Sequence, residues 1–211
     1  MLAHQDSPTD DRGIRSSQGA VAIVSSAGGI GPLIEVLSSL PEHFPLPIFV
    51  AQHLARNAAS VLPSILSWHA GRRNIRWASS GDIPRHETVY VVPPGSSLAV
   101  RPNGFLISAL GSNPTRWLRS PDVLLQSLVD LYGAGTVAIT LSGMMPAGVN
   151  GLRAVRAAGG ITMAQSQATS MHFDMPRAAT DFGKADAVFP PKRMAQALAV
   201  IAKSRVNEPA H

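Results

Sequence analysis

The sequence predicts an α/β fold: a three-layer α/β/α sandwich around a doubly wound, mostly parallel sheet, with an added antiparallel hairpin. Three observations predict it. Short apolar runs alternate along the chain with stretches of helical spacing, the pattern of repeated strand-helix units. The runs are apolar at consecutive positions, as in strands buried on both faces. Two of them end in tight turns of small residues that lead straight into helices, which suits parallel crossovers.

The first unit is the run Ala20-Val21-Ala22-Ile23-Val24, the turn Ser25-Ser26-Ala27-Gly28-Gly29, and a helix with Ile30, Leu33, Ile34 and Leu37 on one face. A proline-punctuated connection, residues 41–47, leads to a second strand from Pro47 to His53. Ala58 to Ala70 reads as a helix whose broad apolar face is Val61, Leu62, Ile65, Leu66 and Trp68, with Gly71 ending it. Trp68 and Trp77 are expected in the core or at its edge, and His43, His69 and His86 at the surface or in structural roles. Ile75 to Ala78 and Thr88 to Val92 are further strands. Arg101-Pro102-Asn103-Gly104 then sits between the runs Ser97–Val100 and Phe105–Ile107, a hairpin signal that places an antiparallel pair beside the parallel sheet.

A polar loop from Gly111 to Pro121 precedes a helix from Asp122 to Tyr132. Thr136 to Leu141, the turn Ser142-Gly143-Met144-Met145-Pro146-Ala147-Gly148 and a helix from about Val149 to Ala158 repeat the design of the first unit. Ile161 to Gln165 and Ala187 to Phe189 are the last strands. Pro176 suits the first turn of a short helix, and Lys192 to Lys203 is an amphipathic closing helix.

A chain of 211 residues, 45 % hydrophobic and 15 % charged, builds one substantial core. Residues 1–18 lack periodicity and are expected to be a disordered tail, residues 19–204 the folded domain, and residues 205–211 a C-terminal tail. No apolar run is long enough to cross a bilayer, so no membrane insertion is expected. The N-terminus does not read as a signal peptide, and the chain has no cysteine. Together these fit a cytoplasmic protein without disulfides or thiolate zinc. No cofactor or metal motif is present. The formal charge of +5 is spread along the chain with few aromatics between the basic residues, so nucleic acid is not an expected partner.

Two chemistries suit a turn at the carboxyl edge of a parallel sheet. Phosphate binding needs glycines at G-x-G-x-x-G and an acid ending the second strand. Here the glycines are Gly28, Gly29 and Gly31, and the second strand ends in His53, so the dinucleotide reading is weak. Nucleophilic catalysis needs a serine on the turn and a base nearby. Ser25 or Ser26 supplies the hydroxyl, and His53, on the next strand tip, supplies the base. Either residue alone reads more simply as a helix cap or a structural histidine; their joint placement favours chemistry.

From Ala20 to Lys203 the chain resembles the catalytic domain of the chemotaxis receptor protein-glutamate methylesterases, the CheB type. The matching segments are Ser26-Ala27-Gly28-Gly29, Gln52-His53, Val91-Val92-Pro93-Pro94-Gly95, Ser120-Pro121-Asp122-Val123-Leu124, Leu141-Ser142-Gly143-Met144, Ala164-Gln165-Ser166-Gln167-Ala168 and Met175-Pro176-Arg177-Ala178-Ala179. No single segment is specific; their order over the whole domain is. The resemblance implies demethylation of glutamyl methyl esters on chemoreceptors, and deamidation of glutamines. It assigns the nucleophile to Ser26 and the base to His53. The Ala27 N–H, at the helix start, is the candidate oxyanion donor, with Gly28 and Met144 at the substrate pocket.

Three departures stand out. Ala147 occupies the position of the family's triad aspartate, which weakens the expected activity or leaves a catalytically lapsed module that binds receptor or another protein. Ala27 replaces a threonine, and Trp117-Leu118 replace polar residues in the loop Arg116 to Arg119. Asp174 is the candidate surrogate acid for His53, read against a helix-capping role, and Asn150 a weaker one. A methylated chemoreceptor segment is acidic, which would suit Arg56, Arg72, Arg73 and Arg76 if they face the site. The expected tail of eighteen residues is too short for a receiver domain. The expectation is a stand-alone catalytic domain, constitutive or governed by a separate regulatory protein.

Overall fold

The computed structural model describes residues 19–55, 59–109 and 114–206, with side chains omitted at 114–116 and 206. The expected tail 1–18, Arg56 and residues 207–211 lie outside it. Seven strands form one parallel sheet: β1 (Ala20–Ser25), β2 (Ile48–Gln52), β3 (Ile75–Trp77), β4 (Val89–Val91), β7 (Thr136–Thr140), β8 (Ile161–Gln165) and β9 (Ala187–Phe189), in the order β3-β4-β2-β1-β7-β8-β9. β5 (Ser96–Arg101) and β6 (Gly104–Ala109) make the antiparallel hairpin. The α-helices are α1 (Ile30–Ser39), α2 (Leu62–Ala70), α3 (Ser120–Tyr132), α4 (Val149–Ala157), α5 (Asp174–Asp181) and α6 (Pro191–Val206). The expected doubly wound three-layer architecture is what the chain adopts.

The central strands are apolar throughout because both their faces are covered. Val21 and Ile23 face a core that includes Leu33, Leu37, Leu66 and Leu198, from α1, α2 and α6. Ala20 and Ala22 face the other core, with Leu124, Leu128, Leu152 and Val155 of α3 and α4. β1 and β7 are the two strands between which the chain reverses its direction of travel across the sheet. In open α/β sheets that reversal leaves a crevice at the carboxyl edge.

Register fixes what meets there. β1 pairs with β2 so that Ser25 lies beside Gln52, and with β7 so that Val24 lies beside Thr140. Ser26 and His53 are therefore the next residues off adjacent strands, whose spacing is about 4.8 Å.

The structure corrects several details. α2 is described from Leu62, and Leu62, Leu66 and Ala70 face inward at four-residue spacing. Trp68 is two residues past Leu66, about 200° around the helix, so it points outward and is 85 % exposed. Val61, at the helix start, is exposed as well. Trp77 does pack on the core as expected. The hairpin does not extend the main sheet but forms its own, packed on α3, where the Val100 N–H donates to Ser127 Oγ at 2.9 Å. Phe105 of the hairpin packs on Tyr90 and Phe49 of the main sheet. α6 runs past the expected domain boundary at 204, because Arg205 donates to the carbonyls of Ala134 and Gly135 and so belongs to the fold.

Candidate active site

The first turn is built for close approach. Gly28 has φ +72°, and a Cβ there would lie 2.7 Å from Met171 Cβ and 2.9 Å from Ser142 Oγ. α1 starts at Ile30 with Gly29 as N-cap and no side-chain cap. Neither serine of the turn serves the helix. Ser25 is fully buried and donates its hydroxyl to Gln52 Oε1 at 2.6 Å. Ser26 is half-buried, and its Oγ lies 3.4 Å from His53 Nδ1. Of the two serines, the one brought to the histidine is Ser26. The N–H groups of Ala27 and Gly28 have no acceptor among the described residues. They sit just ahead of the positive end of α1, where a developing oxyanion is stabilised.

Side chains beneath the turn hold it. Gln52 Nε2 donates to the carbonyls of Ser26 and His53, each at 3.0 Å, so one amide ties both strand tips. The Ser26 N–H donates to the Ser142 carbonyl at 2.9 Å. Ser142 Oγ donates to the Ala27 carbonyl at 2.8 Å and accepts the His172 N–H at 2.9 Å. Gln165 Oε1 accepts the Ser142 N–H at 2.8 Å, and its amide donates to the Thr169 carbonyl at 2.7 Å. In the sequence these residues were visible only as pieces of motifs; nothing in their spacing signals a clamp.

His53 is exposed along one side and covered on a face by Trp117, the ring centroids 4.2 Å apart and the planes 28° from parallel. Partial burial pushes its pKa below the ordinary histidine value, which leaves the ring neutral and able to accept a proton near pH 7. Among the described residues no carboxylate bonds or pairs with it.

Asp174, the candidate surrogate, stands at the first position of α5 and pairs with Arg177 at 2.7 Å, with half of its side chain exposed. Its charge is taken up locally, in the first turn of its own helix and near the capping role. Asn150 lies exposed in the first turn of α4. Ala147 is buried with Val24 and Met175, and Trp117 and Leu118 pack against that group. Where the resemblance would put a carboxylate, a methyl group packs in a hydrophobic cluster. Met144 is 58 % exposed and so is not core packing.

Asp122, quoted earlier only as part of a motif, accepts the Gly151 N–H at 2.7 Å and so caps α4 from the start of α3. Its burial outweighs the backbone N–H bonds and Arg119, and raises its pKa. The basic face expected at the site is not assembled from the described arginines. Arg72 donates to the carbonyls of Leu40 and Pro41 at the far end of α1. Arg76 pairs with Asp82 at 3.1 Å over the Tyr90 ring. A cleft of about 780 Å³ between the hairpin, α3 and α4 includes neither Ser26 nor His53. Among the described residues no group of His, Asp or Glu is arranged to hold a metal, and no helix is long and apolar enough to cross a membrane.

Comparison with known proteins gives the same answer from sequence and from shape. Residues 21–198 match the family described as CheB methylesterase. The protein-glutamate methylesterase FrzG of Myxococcus xanthus is 36 % identical over 178 residues, which are 84 % of this chain and 53 % of that protein. Protein-glutamate methylesterase/protein-glutamine glutaminase 1 of Carboxydothermus hydrogenoformans is 32 % identical over 184 residues, 85 % of this chain and 54 % of that protein. This chain thus spans about half the length of the curated relatives it matches. The crystal structure of the Thermotoga maritima CheB methylesterase catalytic domain superposes with a TM-score of 0.77 at 26 % identity, covering 87 % of this chain and 98 % of that one.

Proposed function

The chain belongs to the CheB methylesterase family, and on that premise we propose that it hydrolyses glutamyl methyl esters of a chemoreceptor-like protein, with Ser26 as nucleophile and His53 as base. The observation that carries the proposal is the 3.4 Å approach of Ser26 Oγ to His53 Nδ1, beside the unengaged N–H groups of Ala27 and Gly28. Distances of this kind are long before substrate binds and tighten with it.

In the proposed reaction Ser26 Oγ attacks the ester carbonyl while its proton passes to His53. The oxyanion forms against the Ala27 and Gly28 N–H groups. The carbonyl re-forms, the C–O bond to methanol breaks, and His53 returns the proton to the departing oxygen. Water then attacks the acyl-serine, gives its proton to His53, and Ser26 leaves with that proton. The same attack on a glutamine side chain would release ammonia. Ser26 and His53 stand at an open sheet edge, which suits a side chain presented on another protein. Control by a separate regulatory protein belongs to the same proposal.

Removing the acid of a serine-hydrolase triad lowers turnover by roughly 10⁴-fold where nothing takes over its role, so slow release is expected. Methanol release from a methylated receptor fragment tests the reading. Slow release that Ser26→Ala abolishes supports it; wild-type release no faster than that of Ser26→Ala rejects it. The buried apolar setting of Ala147 favours a second reading, a binding module of the same fold whose chemistry has lapsed. That reading predicts receptor binding with neither methanol release nor reaction of Ser26 with a fluorophosphonate.

A further inference from the structure

We infer that Trp117 takes the orienting part that a carboxylate plays in a triad: by ring stacking it holds the His53 imidazole with Nδ1 toward Ser26, and the pair works as an acid-free dyad. The inference rests on the hydrolase reading above and adds a positioning residue to it.

A triad acid has two tasks. It fixes the tautomer and orientation of the histidine, and it stabilises the imidazolium that forms. In the usual arrangement the base is Nε2, and the acid keeps a proton on Nδ1. Here the nitrogen facing the nucleophile is Nδ1, at 3.4 Å. For Nδ1 to accept, the proton of the neutral ring must be on Nε2. That is the tautomer neutral histidine favours in water, so no partner has to select it. Only orientation remains to be supplied.

Trp117 supplies it. Its ring covers His53 at 4.2 Å and 28°, which restricts rotation of the imidazole. The indole is held in turn, because Trp117 and Leu118 pack against Val24, Ala147 and Met175. Ala147 is only 4 % exposed and is part of that support. An aspartate there would be a carboxylate among Val24, Met175, Leu118 and Trp117, where the indole N–H is the one side-chain donor of the cluster. The second task is not taken over: burial disfavours the imidazolium, so Trp117 replaces the acid in orienting the ring and not in stabilising its charge.

The experiment compares Trp117→Ala, Trp117→Phe and Ala147→Asp with wild type. It follows fluorophosphonate labelling of Ser26 against pH and methanol release from a methylated receptor fragment, and reads the His53 tautomer by imidazole nitrogen NMR. Trp117→Ala should slow labelling and kcat by about 10²-fold with KM little changed. It should also move the acid limb up toward the ordinary histidine value of 6.5. Trp117→Phe keeps a ring and should stay within about tenfold of wild type. Ala147→Asp should bring no gain. The wild-type spectrum should show a bare Nδ1 and a protonated Nε2.

Wild-type labelling in Trp117→Ala, a proton on Nδ1, or a gain of about 10²-fold or more in Ala147→Asp would each overturn the inference. So would a wild-type chain that the probe does not label. If Trp117→Ala fails to fold, the tautomer and the phenylalanine variant still decide. Labelling of Ser26 without methanol release would sink the ester assignment alone, since the probe reads the dyad and not the substrate.

Discussion

Ser25 and Gln52 share a 2.6 Å hydrogen bond in the buried floor of the site, and that bond separates the roles of two adjacent serines. It occupies the hydroxyl of Ser25 and turns the amide of Gln52 toward the carbonyls of Ser26 and His53. Ser26, the first residue past β1, is then left to face the histidine.

Replacing the clamp should loosen both strand tips. Gln52→Leu leaves the Ser25 hydroxyl without its acceptor and two carbonyls without their donor. A loss of about 1–3 kcal/mol in urea unfolding is expected, with slower labelling of Ser26. Unchanged stability together with unchanged labelling would show that the amide holds nothing.

The two serines should separate cleanly by mutation. Ser25→Ala removes one buried hydrogen bond, costs about 1 kcal/mol, and keeps most of the fluorophosphonate reaction. Ser26→Ala should abolish that reaction with little change in stability. Mass spectrometry of the labelled peptide checks both, and adduct on Ser25 would contradict the assignment.

The pH dependence follows from the covered face of His53. Its pKa lies below 6.5, and in the proposed reaction the neutral ring is the active form. Labelling should therefore hold as pH falls past 6.5 and decline only at lower pH; a midpoint above 6.5 would count against the stacked geometry. The stability linkage has a definite sign. Below the unfolded-state pKa the unfolded chain takes up the proton first, so this site lowers stability as pH falls through that window.

Gly28 should not tolerate a side chain. Its φ of +72° is unfavourable for other residues, and an added methyl would meet Met171 Cβ at 2.7 Å. Gly28→Ala should cost about 1–3 kcal/mol and reduce labelling, because the turn must shift. Gly31, where a Cβ meets nothing within 4 Å, is the control: Gly31→Ala should be neutral or stabilising by thermal melt.

Asp122 caps a helix other than its own. Asp122→Ala should cost about 1–2 kcal/mol through the freed Gly151 N–H, while Asp122→Asn, which keeps an acceptor, should cost less. Equal losses in the two variants would mean that charge and not the hydrogen bond matters there.

The architecture is legible in the sequence. Apolar runs such as Ala20–Val24 and Thr136–Leu141 can be satisfied only between two layers of helices, and the turns after them fix the carboxyl edge as the place for chemistry. Ser26 and His53 were legible because each follows a strand directly, so parallel register alone makes them neighbours. Trp68 was misplaced because a run of apolar residues does not reveal which of them a short helix turns outward.

The resemblance already named Ser26 and put Ala147 in the acid's position; the bond that engages Ser25, the nitrogen that meets Ser26 and the packing around Ala147 emerge only in the folded chain. Those outcomes depend on contacts between segments far apart in the chain: Gln52 beneath Ser25, Trp117 over His53, Ala147 among Val24 and Met175. Periodicity records which face of an element is buried. It does not record what that face meets, such as the indole that covers His53.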